Sequence, residues 1–427
     1  MEASKTKLFS KDDLKKLIIP LLFEQALAIT VGMADTVMIS SAGEAAVSGV
    51  SLIDMFNNLI ISVLAALATG GAVVTSQFLG AGKKEDACKS AKQLIVSSVC
   101  ITIGISILVM MFCNGIISLF FGKIEVDVFH NAVIYMMISA LSFPFLALYN
   151  SCAALFRSMG NSQITLKVSV VENIINIGGN ALGGYVLGLG GAGVAIPSLI
   201  SRAVGGFILY HLLKNPSNEV HLIKERFHID WPVIHKIFYI GIPSGIENGI
   251  FQLGRVIVVS IIAGFGTVQI AANGVANSLD SMGCIVGQAM NLAMITVIGR
   301  CVGAGDSGQV RYYTKKLLKI TYLCTFMVNS VILLCLSWIL KCYGLSPETT
   351  QLSYILVMIH NGMAMFLWPA SFVLPNMLRA CNDVRFTMVL SIFSMFVFRI
   401  GFSYIIGVNM GYGAIGVWIA MVLDWIF

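Results

Sequence analysis

About twelve long apolar runs, separated by short polar turns, constrain this chain more than any other feature. They cover roughly residues 17–40, 47–78, 93–113, 131–156, 164–188, 191–213, 238–262, 270–302, 317–340, 353–378, 386–407 and 413–427. A helix needs about 20 apolar residues to cross the hydrocarbon core of a bilayer. Inside lipid every backbone polar group must find its partner within the protein, so runs of this length point to helices. The second and eighth runs are long enough to tilt or to project beyond the membrane. With 57% hydrophobic and only 11% charged residues, the chain lacks the charge to cover a soluble surface. An all-α membrane protein is expected. The 10 cysteines are scattered along the apolar runs without a CxxC pair and read as reduced packing residues. Met1 to Lys16 is basic and polar, and the run behind it is too long and too internally charged for a cleavable signal. The last run stops at Phe427, which leaves open whether the natural chain continues.

Basic residues alternate between the turns. Lys5, Lys7, Lys11, Lys15 and Lys16 precede the first run, and Lys83, Lys84, Lys89 and Lys92 follow the second. Arg157 and Lys167 follow the fourth, and Lys214, Lys224, Arg226 and Lys236 lie between the sixth and seventh. Arg300, Arg311, Lys315, Lys316 and Lys319 follow the eighth, and Arg379 and Arg385 the tenth. The opposite side holds only Lys123 and Lys341. Because Lys and Arg mark cytoplasmic loops, this predicts an even number of spans, a cytoplasmic N-terminus and a cell-membrane location. It also accounts for the net charge of +6 without nucleic acid.

One offset runs through the chain. Pro20 and Pro243 lie 223 residues apart, as do Glu24 and Glu247, Gly43 and Gly266, and the triplets Gly80-Ala81-Gly82 and Gly303-Ala304-Gly305. Gly193-Val194 recurs as Gly416-Val417, while Leu155-Phe156-Arg157 and Met377-Leu378-Arg379 match one residue off that register. Each half holds six runs, an even number, so both insert in the same direction. Such a parallel repeat, two six-helix bundles related by an axis along the membrane normal, is a transporter architecture with the substrate path between the halves. The expected lobes are 1–213 and 237–427, joined by a cytoplasmic linker at 214–236.

Ionisable residues inside the runs are the candidate functional groups, because a charge at bilayer depth is costly and usually faces a cavity. In the first run Glu24 and Asp35 are 11 residues apart, nearly on one helix face and about 16 Å apart along the axis. In the fifth, Glu172, Asn176 and Asn180 form one polar stripe. Asp54 stands one turn before Asn57 and Asn58, and the second half carries Glu247 and Asp280. A buried carboxyl prefers to be neutral and can trade a proton for a cation, while Asp, Asn and carbonyl oxygens also suit Na⁺. H⁺ and Na⁺ therefore both stay open as coupling ions. More ordinary readings place Glu24 near Lys15 or Lys16, set Glu247 or Asp280 to neutralise Arg255, and leave Asp54 as a structural cap. Asn176 and Asn180 would then be interhelical hydrogen-bonding residues, Arg202 and Arg399 structural or snorkelling, and His130 and His360 isolated. Gly283-x-x-x-Gly287 signals close helix packing.

The ordered motifs resemble the multidrug and toxic compound extrusion (MATE) family of cation antiporters over nearly the whole chain. They are Pro20 with Asp35-Thr36, then Gln77-Phe78-Leu79-Gly80-Ala81-Gly82, Phe156-Arg157-Ser158-Met159-Gly160-Asn161, Asn176-Ile177-Gly178-Gly179-Asn180 and Gly191-Ala192-Gly193-Val194-Ala195. No Gly-x-x-x-Asp-Arg signature of the major facilitator type occurs between Gly80 and Lys92. The resemblance implies that Asp35 belongs to a coupling site with Asn176 and Asn180. Two family positions differ, with Asn180 where an Asp is usual and Ile196 where a Thr is usual. Both changes weaken a Na⁺ site, and Glu172 could restore the charge. In some members the acid of span seven falls about a turn later than Glu247.

The expectation is a monomeric secondary antiporter, not an enzyme, that needs no cofactor beyond its coupling ion. It would sit in a bacterial cell membrane and export organic, cationic and amphiphilic compounds. A lipid-linked precursor flippase of the same superfold is the alternative, but it would want a cationic groove. A membrane-embedded enzyme or channel is remote: the runs show no His-rich cluster, no nucleophile–base pair and no filter motif.

Overall fold

The structure is a computed structural model that describes residues 7–40, 44–122, 125–188, 191–222 and 228–427, without the side chains of 33–37, 39–40, 44–45 and 185–186. Lys5, Gly43, Lys123, Lys224 and Arg226 lie outside the described residues, and so does the side chain of Asp35.

The first half comprises α1 (Lys11–Ser40), α2 (Glu44–Gly80), α3 (Lys84–Met111) with its short continuation α4 (Cys113–Phe121), α5 (Val126–Ser158), α6 (Ser162–Ala181) and α7 (Ala192–Leu213). The second comprises α8 (Trp231–Ala263), α9 (Thr267–Gly283) followed by α10 (Ile285–Gly303), α11 (Ser307–Cys342), α12 (Pro347–Trp368) leading into α13 (Leu374–Ala380), α14 (Val384–Ser394) and α15 (Gly413–Ile426). Among the described residues, nine helices are long and apolar enough to cross a membrane, and Gly413–Ile426 is a shorter apolar one. The protein is thus a multi-pass helical membrane protein with two repeated halves.

Packing gives two compact units. The first lobe is Phe9–Gly245 with Gly303–Gly305. The second is Ile246–Val302 and Asp306–Phe427, with the described residues up to Leu8. The division falls inside α8, which starts at Trp231 within the stretch read from sequence as linker. In the first lobe Ile53, Ile117, Met136 and Phe143 centre the apolar core; in the second Ile262, Leu336, Leu340 and Trp418 do.

The turns repeat as the sequence does. After α2, the Lys83 amide bonds the Phe78 carbonyl at 2.9 Å and Gly82 takes φ +74°. After α10, the Asp306 amide bonds the Cys301 carbonyl at 3.3 Å and Gly305 takes φ +67°. Both are left-handed helix caps that need a residue free of Cβ strain, which explains the recurrent Gly-Ala-Gly.

The eighth run, expected to be one span over 270–302, breaks at Cys284. The Asn329 amide donates to the Gly283 carbonyl at 3.1 Å and the Asn361 amide to the Leu279 carbonyl at 3.5 Å. Both side chains reach carbonyls beside the interruption, while the ladder runs through it, with the Cys284 amide on the Asp280 carbonyl at 2.9 Å and the Gln288 amide on the Cys284 carbonyl at 3.0 Å. The expected close packing at Gly283 and Gly287 is present. A Cβ on Gly283 would fall 2.4 Å from Asn329 Oδ1, and one on Gly287 only 1.7 Å from the Trp368 ring. Among the described residues, four π-helical turns interrupt the runs: Leu182–Val186, Pro369–Val373, Met395–Gly401 and Ser403–Asn409. Such turns widen a helix locally and occur often at functional sites.

Candidate functional site

Each lobe anchors its first helix with a buried ion pair. Glu24, four residues past Pro20 in α1, is 6% exposed. Its Oε1 lies 2.6 Å from Arg157 Nη2 at the end of α5, and the Thr165 hydroxyl of α6 donates to its Oε2 at 2.9 Å. In the second lobe, Arg379 Nη2 of α13 lies 2.8 Å from Glu247 Oε1 of α8, and the Ser391 hydroxyl of α14 donates to the same oxygen at 2.6 Å. Glu247 Oε2 is buried without a hydrogen-bond partner among the described residues. A charge taken out of water must be paired to be tolerated, and the matched Glu and Arg positions meet that need in both halves. Two sequence expectations are corrected here. The partner of Glu24 is Arg157 and not Lys15 or Lys16, because α1 lays it against the end of α5. The partner of Glu247 is Arg379 and not Arg255.

The polar stripe of α6 is continuous. Asn180 Nδ2 donates to Asn176 Oδ1 at 3.1 Å, and Asn176 Nδ2 to the Ser198 hydroxyl of α7 at 2.9 Å. Glu172, one turn before Asn176, is partly buried and makes no salt bridge or hydrogen bond among the described residues. Its carboxyl has room because α7 carries Gly205 beside it: a Cβ there would lie 3.3 Å from Glu172 Oε2 and 3.2 Å from the Tyr149 ring. Arg202 gives its Nη1 to the Ser142 hydroxyl at 2.7 Å. Asp54 accepts the Tyr135 hydroxyl at 2.8 Å and has no salt bridge among the described residues. One turn on, Asn57 donates to the Ser139 hydroxyl at 3.1 Å. Helix α1, which bears Asp35, packs along α6.

The second lobe is filled differently. Asp280 of α9 faces His360 of α12, with Oδ1 and Nδ1 3.1 Å apart, and Cys284 Sγ stands 3.1 Å from the same oxygen. The expectation that His360 is isolated is therefore corrected, and Asp280 is paired with it and not with Arg255. Arg399 Nε donates to Asp424 Oδ2 at 2.9 Å, Ser394 donates to the other oxygen of Asp424, and the guanidinium lies 4.8 Å from the centre of the Phe251 ring. Arg399 is thus held in a buried ion pair. Sequence reasoning missed His360 and Asp424. The repeat held the signal, since Asp280 and Asp424 lie 223 residues after Asn57 and Ser201. Among the described residues no group of three or more His, Cys, Asp or Glu could hold a metal ion.

The sequence model of the MatE family matches the chain twice, over 20–182 and 243–405. The chain belongs to the MATE family. The two matched segments start at Pro20 and Pro243 and so carry the 223-residue offset. Among curated proteins, the chain is 27% identical to the uncharacterized transporter YisQ of Bacillus subtilis, over 95% of this chain and 89% of that one. It is 24% identical to the probable multidrug resistance protein NorM of Thermotoga maritima, over 98% of this chain and 90% of that one. Among solved structures, a MATE protein in complex with MaL6 superposes with a TM-score of 0.91 at 20% identity, covering 97% of this chain and 92% of that one. A MOP superfamily transporter from Pyrococcus furiosus superposes at 0.90, with the same identity and coverage. These structures share the fold of this MATE protein.

Proposed function

We propose that this MATE protein is a secondary antiporter that exports organic, cationic and amphiphilic compounds in exchange for H⁺ or Na⁺. The observation that carries the reading is the surplus of acid in the first lobe. Arg157 is spent on Glu24, and Arg202, held by Ser142, is the nearby cation that Glu172 and Asp54 share, with a salt bridge to neither among the described residues. Beside Glu172 runs the chain Asn180–Asn176–Ser198, which offers neutral oxygens next to a carboxylate. Such a set binds a proton or a small hard cation, and an ionised form attracts an organic cation. Two ligands that need the same carboxylate in different states compete, which is the requirement of antiport. Asp35, on the helix that packs along α6, completes the set in this reading. The multidrug resistance names of the NorM relatives support the substrate class. Transport runs through a monomer in a bacterial cell membrane, its N-terminus cytoplasmic.

The test is transport by the purified protein in liposomes, with ethidium and tetraphenylphosphonium as probes. An imposed H⁺ or Na⁺ gradient is expected to drive either probe against its own gradient. Probe movement indifferent to both gradients overturns the proposal.

A further inference from the structure

We propose that the basic end of α11 is a binding site for an anionic phospholipid. Its phosphate lies among Arg311, Lys315, Lys316, Lys319 and Lys7, and its acyl tail follows the apolar wall of the same helix. The site does not depend on the transport reading.

One helix face carries it. At about 100° per residue, Arg311, Tyr312, Lys315, Lys316 and Lys319 fall within about 140° of one another on α11. Lys316 is half-buried and the other four are exposed, while Tyr313, Thr314 and Leu317 on the far side are buried. α11 contains no Asp or Glu, and none of these four cations makes a salt bridge among the described residues. Like charges four residues apart on a helix repel, and Arg311, Lys315 and Lys319 form such a row without an acid to relieve it. The N-terminal arm brings a fifth cation. The Leu8 amide donates to Gln309 Oε1 at 2.9 Å. Lys7 Nζ then lies 5.1 Å from the centre of the Tyr312 ring, and Lys316 Nζ lies 5.7 Å from the same centre. Two ammonium groups gathered over one ring repel each other, and a phosphate bound by both turns that repulsion into attraction. Lysine binds phosphate in this way, as a point charge.

What lies beyond the basic turns selects a lipid over a free phosphate. Leu323, Phe326, Met327 and Leu334 continue the same side of α11 and are exposed. Leu323 stands one turn past Lys319, about 6 Å along the axis, so an apolar wall begins directly behind the cations. The first lobe closes its equivalent face. At the 223-residue offset α3 has Cys88, Lys89, Lys92, Gln93 and Val96, with Glu85 and Asp86 in its first turn. Chain covers that face: the His221 amide donates to Cys88 Sγ at 3.4 Å, and Gln93 Nε2 donates to the His228 carbonyl. The acid-free face of α11 has only the short arm at Lys7 and Leu8 against it, which leaves room for a headgroup.

The test is lipid binding by the purified full chain in micelles, read by native mass spectrometry. Dioleoylphosphatidylglycerol is compared with dioleoylphosphatidylcholine, whose choline cancels the phosphate charge. Phosphatidylglycerol should be retained the more tightly. Lys315→Gln, Lys316→Gln and Lys319→Gln together should weaken it about tenfold, as expected when several lysines near the membrane surface lose their charge, and leave phosphatidylcholine unchanged. Arginine at the same three positions should preserve binding, since charge and reach are kept. Lys83→Gln, Lys84→Gln and Lys89→Gln in the first lobe remove the same charge and should change phosphatidylglycerol binding less than about twofold. No preference between the lipids, arginine variants as weak as the glutamine ones, or equal losses from the two lobes overturns the proposal. Glycerol 3-phosphate in excess should not displace the lipid. Displacement by it would show that the site takes a free phosphate, and would overturn the phospholipid assignment.

Discussion

The two lobes are built on one repeat but place their charges at different positions, so that a charged residue in one lobe matches a neutral one in the other. At the 223-residue offset, Asn176 of the first lobe corresponds to Arg399, Ser201 to Asp424, Glu172 to Met395 and Arg202 to Trp425. In the second lobe Glu247, Asp280 and Asp424 each face a cation or an imidazole: Arg379, His360 and Arg399. In the first lobe Glu24 has Arg157, while Glu172 and Asp54 share the influence of one cation, Arg202, with a salt bridge to neither among the described residues. Backbone and turns are therefore shared, and the polar filling is not. An interior whose charges are neutralised internally gains little by binding another cation, whereas a surplus of carboxylate creates a site for one. The anchoring pairs show the contrast on a smaller scale. Both oxygens of Glu24 are occupied, while one oxygen of Glu247 is buried and unpartnered.

The anchors give the largest expected effect. Arg157→Ala leaves Glu24 as an uncompensated buried charge and should cost about 3–5 kcal/mol, read by chemical unfolding in micelles. Within the same assay Glu24→Gln should destabilise more than Glu247→Gln, because it disturbs two satisfied oxygens and not one. The reverse order would break the comparison between the anchors. Next comes Glu172→Gln. It should leave unfolding within about 1 kcal/mol of wild type, since no hydrogen-bonded partner is lost. Ion-driven ethidium transport should nevertheless fall about tenfold, equivalent to about 1.4 kcal/mol. Met395→Gln, at the matching place in the second lobe, should leave the ion dependence unchanged. Equal losses from both would show that the lobes do not divide the work as their charges do. The smallest effect belongs to Asp54. Tyr135→Phe removes one hydrogen bond and should cost about 1 kcal/mol, and Asp54→Asn should slow transport less than Glu172→Gln.

How much of this was legible from sequence depended on what each feature rests on. The runs and the repeat were readable because hydropathy and turn chemistry are local: Gly82 and Gly305 sit where a left-handed cap needs glycine. The break at Cys284 was hidden, since the side chains set against it, Asn329 and Asn361, come from far along the chain. The carboxylates were found by their cost in an apolar run, but their partners were misjudged. Lys15, Lys16 and Arg255 are near in sequence, whereas Arg157 and Arg379 are brought by the fold. His360 escaped because a single imidazole has no periodicity; only Asp280, 80 residues away in sequence, gives it meaning.

The central claim is that the acid-rich first lobe couples ion flow to export, and Asp35→Asn tests it most directly. The substitution keeps the shape of the side chain and removes its charge. Reconstituted in liposomes, the folded variant should lose ethidium export driven by an imposed H⁺ or Na⁺ gradient. Export at the wild-type rate under either gradient would contradict the account and move coupling to Glu247 and Asp280 in the second lobe.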